Sequence, residues 1–182
     1  MIELILMSRA LVQPAPVAAD ACAVMIPAAL SMRITTDMPD YRLPQSSDVG
    51  DIRNRDISSK GDWPCPLVVA GDFDGNGSLD RALLVRSSHG PLKLIAALNN
   101  NGQWQLSLSE DWPFPFALSD LRAVEAGLYQ RSDAIDHPAA QLDQLPSIQA
   151  ENIGFSASKL TGRRVVYFRV GEQWQKLTLK DD

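Results

Sequence analysis

Ten residues constrain this chain more than any others: GDFDGNGSLD, Gly71 to Asp80, set between the apolar runs PLVVA and RALLV. Apolar, β-branched flanks ask for strands, and the glycine-rich centre forces the chain to reverse. Gly75 and Gly77 permit the left-handed backbone that turns neighbouring oxygens inward. Asp72, Asp74 and Asp80 bring three carboxylates, and Asn76 an amide oxygen, into nine residues. Such a group repels itself unless a hard cation sits among the oxygens. Ca²⁺ accepts six to eight oxygens in loose geometry, whereas Mg²⁺ demands a tight octahedron and keeps waters, so the expected ion is Ca²⁺. The expected donors are the side chains of Asp72, Asp74, Asn76 and Asp80, with Ser78 contributing its carbonyl. A polar hairpin tip rich in turn formers is the plainer alternative.

The strand pattern continues downstream. After PLVVAG (66–71) come RALLVRS (81–87), LKLIAAL (92–98) and QWQLSLS (103–109), with turns at His89-Gly90-Pro91 and at NNNG, 99–102. These four runs read as an antiparallel meander. DWPFPFALSD (111–120) cannot be a central strand, because Pro113 and Pro115 remove ladder donors. Its Trp112, Phe114 and Phe116 are expected to cover one end of the sheet. Further strands are expected at 121–130, 147–155, 163–170 and 173–179, with a polar loop at 132–146. VVYFRVGEQWQKL repeats the rhythm of LIAALNNNGQWQLSL, which suggests two comparable hairpins.

Upstream, AVMIPAALSMR (23–33) is dense enough in apolar residues for one helix, with Pro27 in its first turn. Residues 37–66 read as a long polar connection. The expected fold class is therefore mainly β (α+β), an antiparallel system with an N-terminal helix. We expect a leader or signal-like segment over 1–21 and one β-rich domain over 22–182. A chain of 182 residues fits one domain and buries roughly 70 % of its unfolded surface.

Charge and cysteines narrow the setting. The net charge is −5, and no basic run exceeds Arg163–Arg164, so a nucleic-acid partner is not expected. No segment reaches the ~20 apolar residues that span a bilayer. Val17-Ala18-Ala19 resembles the small-residue end of an export signal, although Glu3 stands where a basic residue belongs. Two readings fit: an export signal with an atypical start, or a short leader. The first is favoured and places the protein in the periplasm or outside the cell. Two cysteines, Cys22 and Cys65, then suggest a disulfide; two free thiols in a cytosolic protein are the alternative.

The loop matches an EF-hand at positions 1, 3, 5, 6, 7 and 9, but Leu83 stands at position 12 and the flanks are not helical. D-x-D-G-N-G-x-x-D between strands resembles the FG-GAP type of calcium loop over Val69–Val85. That resemblance implies a structural calcium that knits a hairpin, and a single copy cannot make a propeller. The wider pattern also resembles small bacterial envelope proteins with one such loop. It runs from Cys22 through YRLP (41–44) and CPLVVAGDFDGNGSLDRALLV (65–85) to VVYFRVGEQWQKLTLKDD (165–182). Some of those proteins resemble immunity proteins and periplasmic lysozyme inhibitors. The resemblance implies a calcium-binding protein that neutralises a secreted wall hydrolase by direct binding. A stand-alone module recognising glycan or cell surface is the alternative.

Catalytic signals are sparse. The two histidines, His89 and His137, lie in turn-like stretches, and no G-x-S-x-G, HExxH or CxxC occurs. Asp133, Asp136 and His137 are close enough in sequence to bind a metal, but a solvated loop is the expected reading. We therefore expect a binding protein rather than an enzyme. Tyr41, Trp63, Trp112 and Tyr129 stand in or beside loops, and Tyr129 with Arg131 is the leading candidate for insertion into a partner's cleft.

Overall fold

A computed structural model describes residues 19–49, 64–131, 146–159 and 164–179. Asp20 accepts hydrogen bonds from the Cys22 and Ala23 amides and so caps the first helix, α1 (Ala21–Val24). The expected single helix is two. Pro27 pushes the residue before it out of helical geometry, so the chain breaks there and restarts as α2 (Ala28–Asp37). Asp20 and Ala21 are tied to the later connection: the Ser46 amide donates to Asp20 and the Ala21 amide to the Ser46 hydroxyl.

The strands are β1 (Tyr41–Arg42), β2 (Val68–Gly71), β3 (Asp80–Ser87), β4 (Leu92–Asn100) and β5 (Gln103–Trp112). A 3-10 turn (Phe116–Leu118) then leads to β6 (Ser119–Val124) and β7 (Gly127–Gln130). After these come β8 (Ser147–Ala150), β9 (Gly154–Lys159), β10 (Arg164–Val170) and β11 (Gln173–Leu179). All pairings among the described residues are antiparallel. The expected meander holds: β2, β3, β4 and β5 pair in succession, and β1 shares with β2 the outer edge of β3. The stretch expected as a polar connection thus contains β1. A second sheet runs β11–β10–β9–β6, and among the described residues β7 pairs with β8 alone. The two runs expected as single strands, 121–130 and 147–155, each divide. β6 and β9 join the second sheet, and β7 and β8 leave it as a ribbon.

Alternation on β10 explains the layers. Val165 and Tyr167 face the main core, shared with the helices and the first sheet. Val166 and Phe168 face a smaller core, closed by Ile148, Ala150 and Tyr129 from the ribbon. A strand buried on both faces reads as a continuous apolar run, which VVYF is. The two hairpins noticed in the sequence are β4–β5 and β10–β11, one in each sheet, with Trp104 and Trp174 at matching places. Asn101 and Gly102 carry positive φ in the first, as a tight two-residue turn requires.

Pro113 and Pro115 lie where the chain leaves the first sheet for the second. Trp112 is buried and donates its indole N–H to the Ser119 hydroxyl, 2.8 Å. Its ring meets Phe114 edge-on, and Arg42 and Arg86 lie over Phe116. A disulfide joins Cys22 to Cys65. Among the described residues no helix is long and apolar enough to cross a membrane.

Candidate metal centre

The loop leaves β2 at Gly71 and re-enters the sheet at Asp80, residues that face each other across the ladder. Within it the backbone amides aim the acids. The Asn76 and Gly77 amides donate to the two oxygens of Asp72, at 3.0 and 2.9 Å. Asp74 accepts from the Asn76 amide and side-chain nitrogen, both at 3.2 Å. Asp80 is fully buried and accepts from the Phe73 amide, 2.8 Å, and the Asn99 amide, 2.7 Å. Each bond uses one lone pair, and a carboxylate offers about four. Lone pairs therefore remain for a cation.

One oxygen from each of Asp72, Asp74 and Asp80 lies within 4.8 Å of the others. Two calcium ligands on opposite sides of the ion stand about 4.6–5.2 Å apart. The three carboxylates thus form a group that can hold a single metal ion, and their chemistry is that of a hard one. Burial pushes the Asp80 carboxyl up to about 6; the amides of Asn99 and Phe73 oppose this, and the charges of Asp74 and Asp72 add to it. A divalent cation relieves both the burial and the repulsion.

Asn76 and Ser78 lie at the same turn. The Asn76 oxygen accepts the Ser78 amide, 2.7 Å, and its nitrogen reaches the Asn99 carbonyl, 3.0 Å. Gly75 (φ +75°) and Gly77 (φ +83°) take the left-handed backbone that their composition suggested. Gly75 also lies against Asn152: an added Cβ would stand 2.7 Å from its side-chain oxygen.

The loop is fastened on two sides that sequence reasoning missed. Asn99 ties it to the β4–β5 hairpin through its amide and carbonyl, and Asn152 meets it from the β8–β9 turn. Both signals were present, in NNNG and in EN, but reading them needs the register Arg81↔Ala97 and the packing of the second sheet. Phe73 is the third link. Fully buried, its ring lies 5.4 Å from Phe155 and 6.1 Å from Trp174, so a loop residue plugs the space between the sheets.

The other candidates lie elsewhere. His89 is exposed on the β3–β4 turn, at the far end of an eight-residue strand, roughly 25 Å from the loop. Tyr129 is half-buried: its ring packs on Phe168 at 4.8 Å and its hydroxyl donates to the Glu125 carbonyl. Leu128 beside it is 60 % exposed. The Arg131 amide donates to the Pro146 carbonyl, 3.0 Å. Tyr41 is half-buried on β1. Trp63, Asp133, Asp136 and His137 lie outside the described residues.

Comparison with family models, with curated proteins and with solved structures finds no match for this chain.

Proposed function

We propose that this chain is an exported, calcium-stapled binding protein that neutralises a secreted cell-wall hydrolase by direct contact, as an inhibitor or immunity partner. The observation that carries the calcium part is the carboxylate trio: three acids within 4.8 Å on a loop whose Phe73 locks the two sheets together. In this reading Asp72, Asp74 and Asp80 hold Ca²⁺, with Asn76 and the Ser78 carbonyl completing the shell. The ion supplies charge neutralisation and stiffness; recognition is left to loops on the stiffened scaffold. The Cys22–Cys65 disulfide supports export, since such bonds persist in oxidising compartments. The hydrolase target rests on the sequence resemblance, and the net charge of −5 suits a basic wall enzyme by speeding encounter.

The test mixes the purified protein with a panel of purified wall hydrolases, in calcium and in chelator. Clearing of a wall suspension and direct binding are the readouts. The expected result is stoichiometric inhibition of one hydrolase in calcium. Binding to isolated wall glycan with no hydrolase inhibited would overturn the reading in favour of a surface-recognition module.

A further inference from the structure

The molecule holds a polar chain of contacts that the metal centre does not itself require. Cys22 lies in α1 and is bonded to Cys65, just ahead of β2. Asp20 and Ser46 hold the other side of this helix. Met25 caps the C-terminal end of α1, and its carbonyl accepts the Arg81 Nε–H at 2.8 Å. The same guanidinium donates through Nη1 to the Asp80 carbonyl at 2.8 Å and to the Leu79 carbonyl at 3.4 Å. Asp80 in turn organises the loop, holding the amides of Phe73 and Asn99.

We infer that the Cys22–Cys65 disulfide sets the order of the metal loop through Arg81, which bridges the end of α1 to the loop's C-terminal end. Four residues of helix have little stability of their own, so α1 stays in place only while something pins it. The Asp20–Ser46 contacts hold its start, and the disulfide pins it to the segment ahead of β2. With the disulfide closed, the Met25 carbonyl is held where the guanidinium meets it, and the fork of Arg81 spans two carbonyls from distant parts of the chain. Without it, Met25 moves, one end of the fork is free, and Leu79 and Asp80 lose a fixed donor. The backbone that aims the Asp80 carboxylate then samples more states, and a cation must order it on binding. Loop order, and with it cation affinity, is thereby tied to oxidation of the two cysteines, which an exported chain undergoes outside the cytosol. Arg81 is a positioning residue here, not a ligand. Its role needs the fork rather than the charge: a lysine ammonium is a point charge and does not span both carbonyls.

The experiment measures amide exchange in chelator on the full chain. It compares wild type, Cys22→Ser/Cys65→Ser, Arg81→Gln, Arg81→Lys and the combined Cys/Arg81→Gln variant. In the disulfide-free and Arg81→Gln proteins the amides of Phe73, Asn76, Gly77 and Asn99 are expected to exchange about five- to tenfold faster, as a typical coupling energy implies. Amides of Val166 to Phe168 serve as the unmoved reference. Arg81→Lys behaves like Arg81→Gln, and the combined variant goes no further than either parent, since both cut one path. Unchanged loop exchange in Arg81→Gln overturns the inference, as do effects that multiply in the combined variant or full rescue by lysine. If the disulfide-free protein does not fold with serine at these buried positions, Cys22→Ala/Cys65→Ala takes its place, and unchanged loop exchange in it overturns the inference. Coupling is reciprocal, so the Val24 and Met25 amides must also speed up with the loop, and their failure to do so overturns it.

The inference rests on the calcium reading for its consequence but not for this readout. A parallel Ca²⁺ titration separates the two. Exchange that responds in a protein that binds no calcium leaves the coupling standing and the metal reading fallen. Calcium binding with an unresponsive loop leaves the metal reading standing and the coupling fallen.

Discussion

Replacing Phe73 with alanine tests whether the loop is a joint between the sheets. Phe73 is the second residue after β2, a place where a hairpin tip normally meets water. Here it is fully buried against Phe155 and Trp174, and those rings extend the contact to Tyr167, which stacks on Phe155 at 4.9 Å. The pocket has little freedom to collapse. Phe155 is itself held by Trp174, whose indole donates to Ser107, and Tyr167 is held by Glu110. Removing a ring from such a site leaves a cavity and costs about 3–5 kcal/mol. For a protein of this size that corresponds to a drop in Tm of roughly 6–20 °C. The assay is urea unfolding in excess chelator, with m-values compared to confirm that the transition keeps its character. Phe73→Leu keeps much of the volume and is expected to lose less than half as much. A loss below about 1 kcal/mol for Phe73→Ala would instead place the ring at the periphery of the core, with no joint there to break.

Further outcomes follow from the same geometry. Asp80 has a folded-state pKa of about 6, above its ordinary 3.8, so its burial disfavours the charged form. The metal-free protein should lose stability as pH rises from about 4 through 6, whereas stabilisation by calcium should be largest above pH 6 and fade below it as protons compete; urea midpoints across this range, with and without calcium, check both signs. Gly154→Ala places a Cβ 2.4 Å from the Tyr167 carbonyl oxygen and the Phe168 ring, so the paired backbone must shift. It should cost about 3 kcal/mol or more by chemical denaturation, and a near-neutral result would contradict the described packing of β9 on β10. Cleavage after Val17-Ala18-Ala19 leaves Asp20, the residue that caps α1, as the first residue. Intact mass of the exported protein should show that start, and an unprocessed chain would remove the export reading.

The sequence carried much of the fold because the strands are short, apolar and well punctuated. NNNG, HGP and VGE mark three of the hairpins, and two of the strands between them end within a residue or two of where apolar runs stop. The disulfide was legible from two cysteines and a signal-like start. What could not be read was which faces become covered. LRAVEAGLYQ looks like one strand, yet Glu125 and Ala126 let it change layer. Tyr129 stands beside a loop in sequence, and its cover, Phe168, comes from β10, far along the chain. Pro27 fits the first turn of one helix by sequence, but its effect on Ile26 divides the helix. In the metal loop, the acids were visible from spacing alone. The supports at Asn99 and Asn152 were not, since they arrive through sheet register and packing of the second sheet.

The most direct test of the central claim is calorimetric titration of Ca²⁺ into the metal-free protein at about pH 7.5, where Asp80 is ionised, run beside Mg²⁺ and beside Asp74→Asn. The expected result is one ion per chain, much weaker binding of Mg²⁺, and an affinity lost or sharply reduced in Asp74→Asn. At a free concentration about a hundredfold above Kd, calcium should add about 2.7 kcal/mol of stability, or roughly 5–11 °C in Tm. No binding heat and no change in Tm up to millimolar calcium would contradict it.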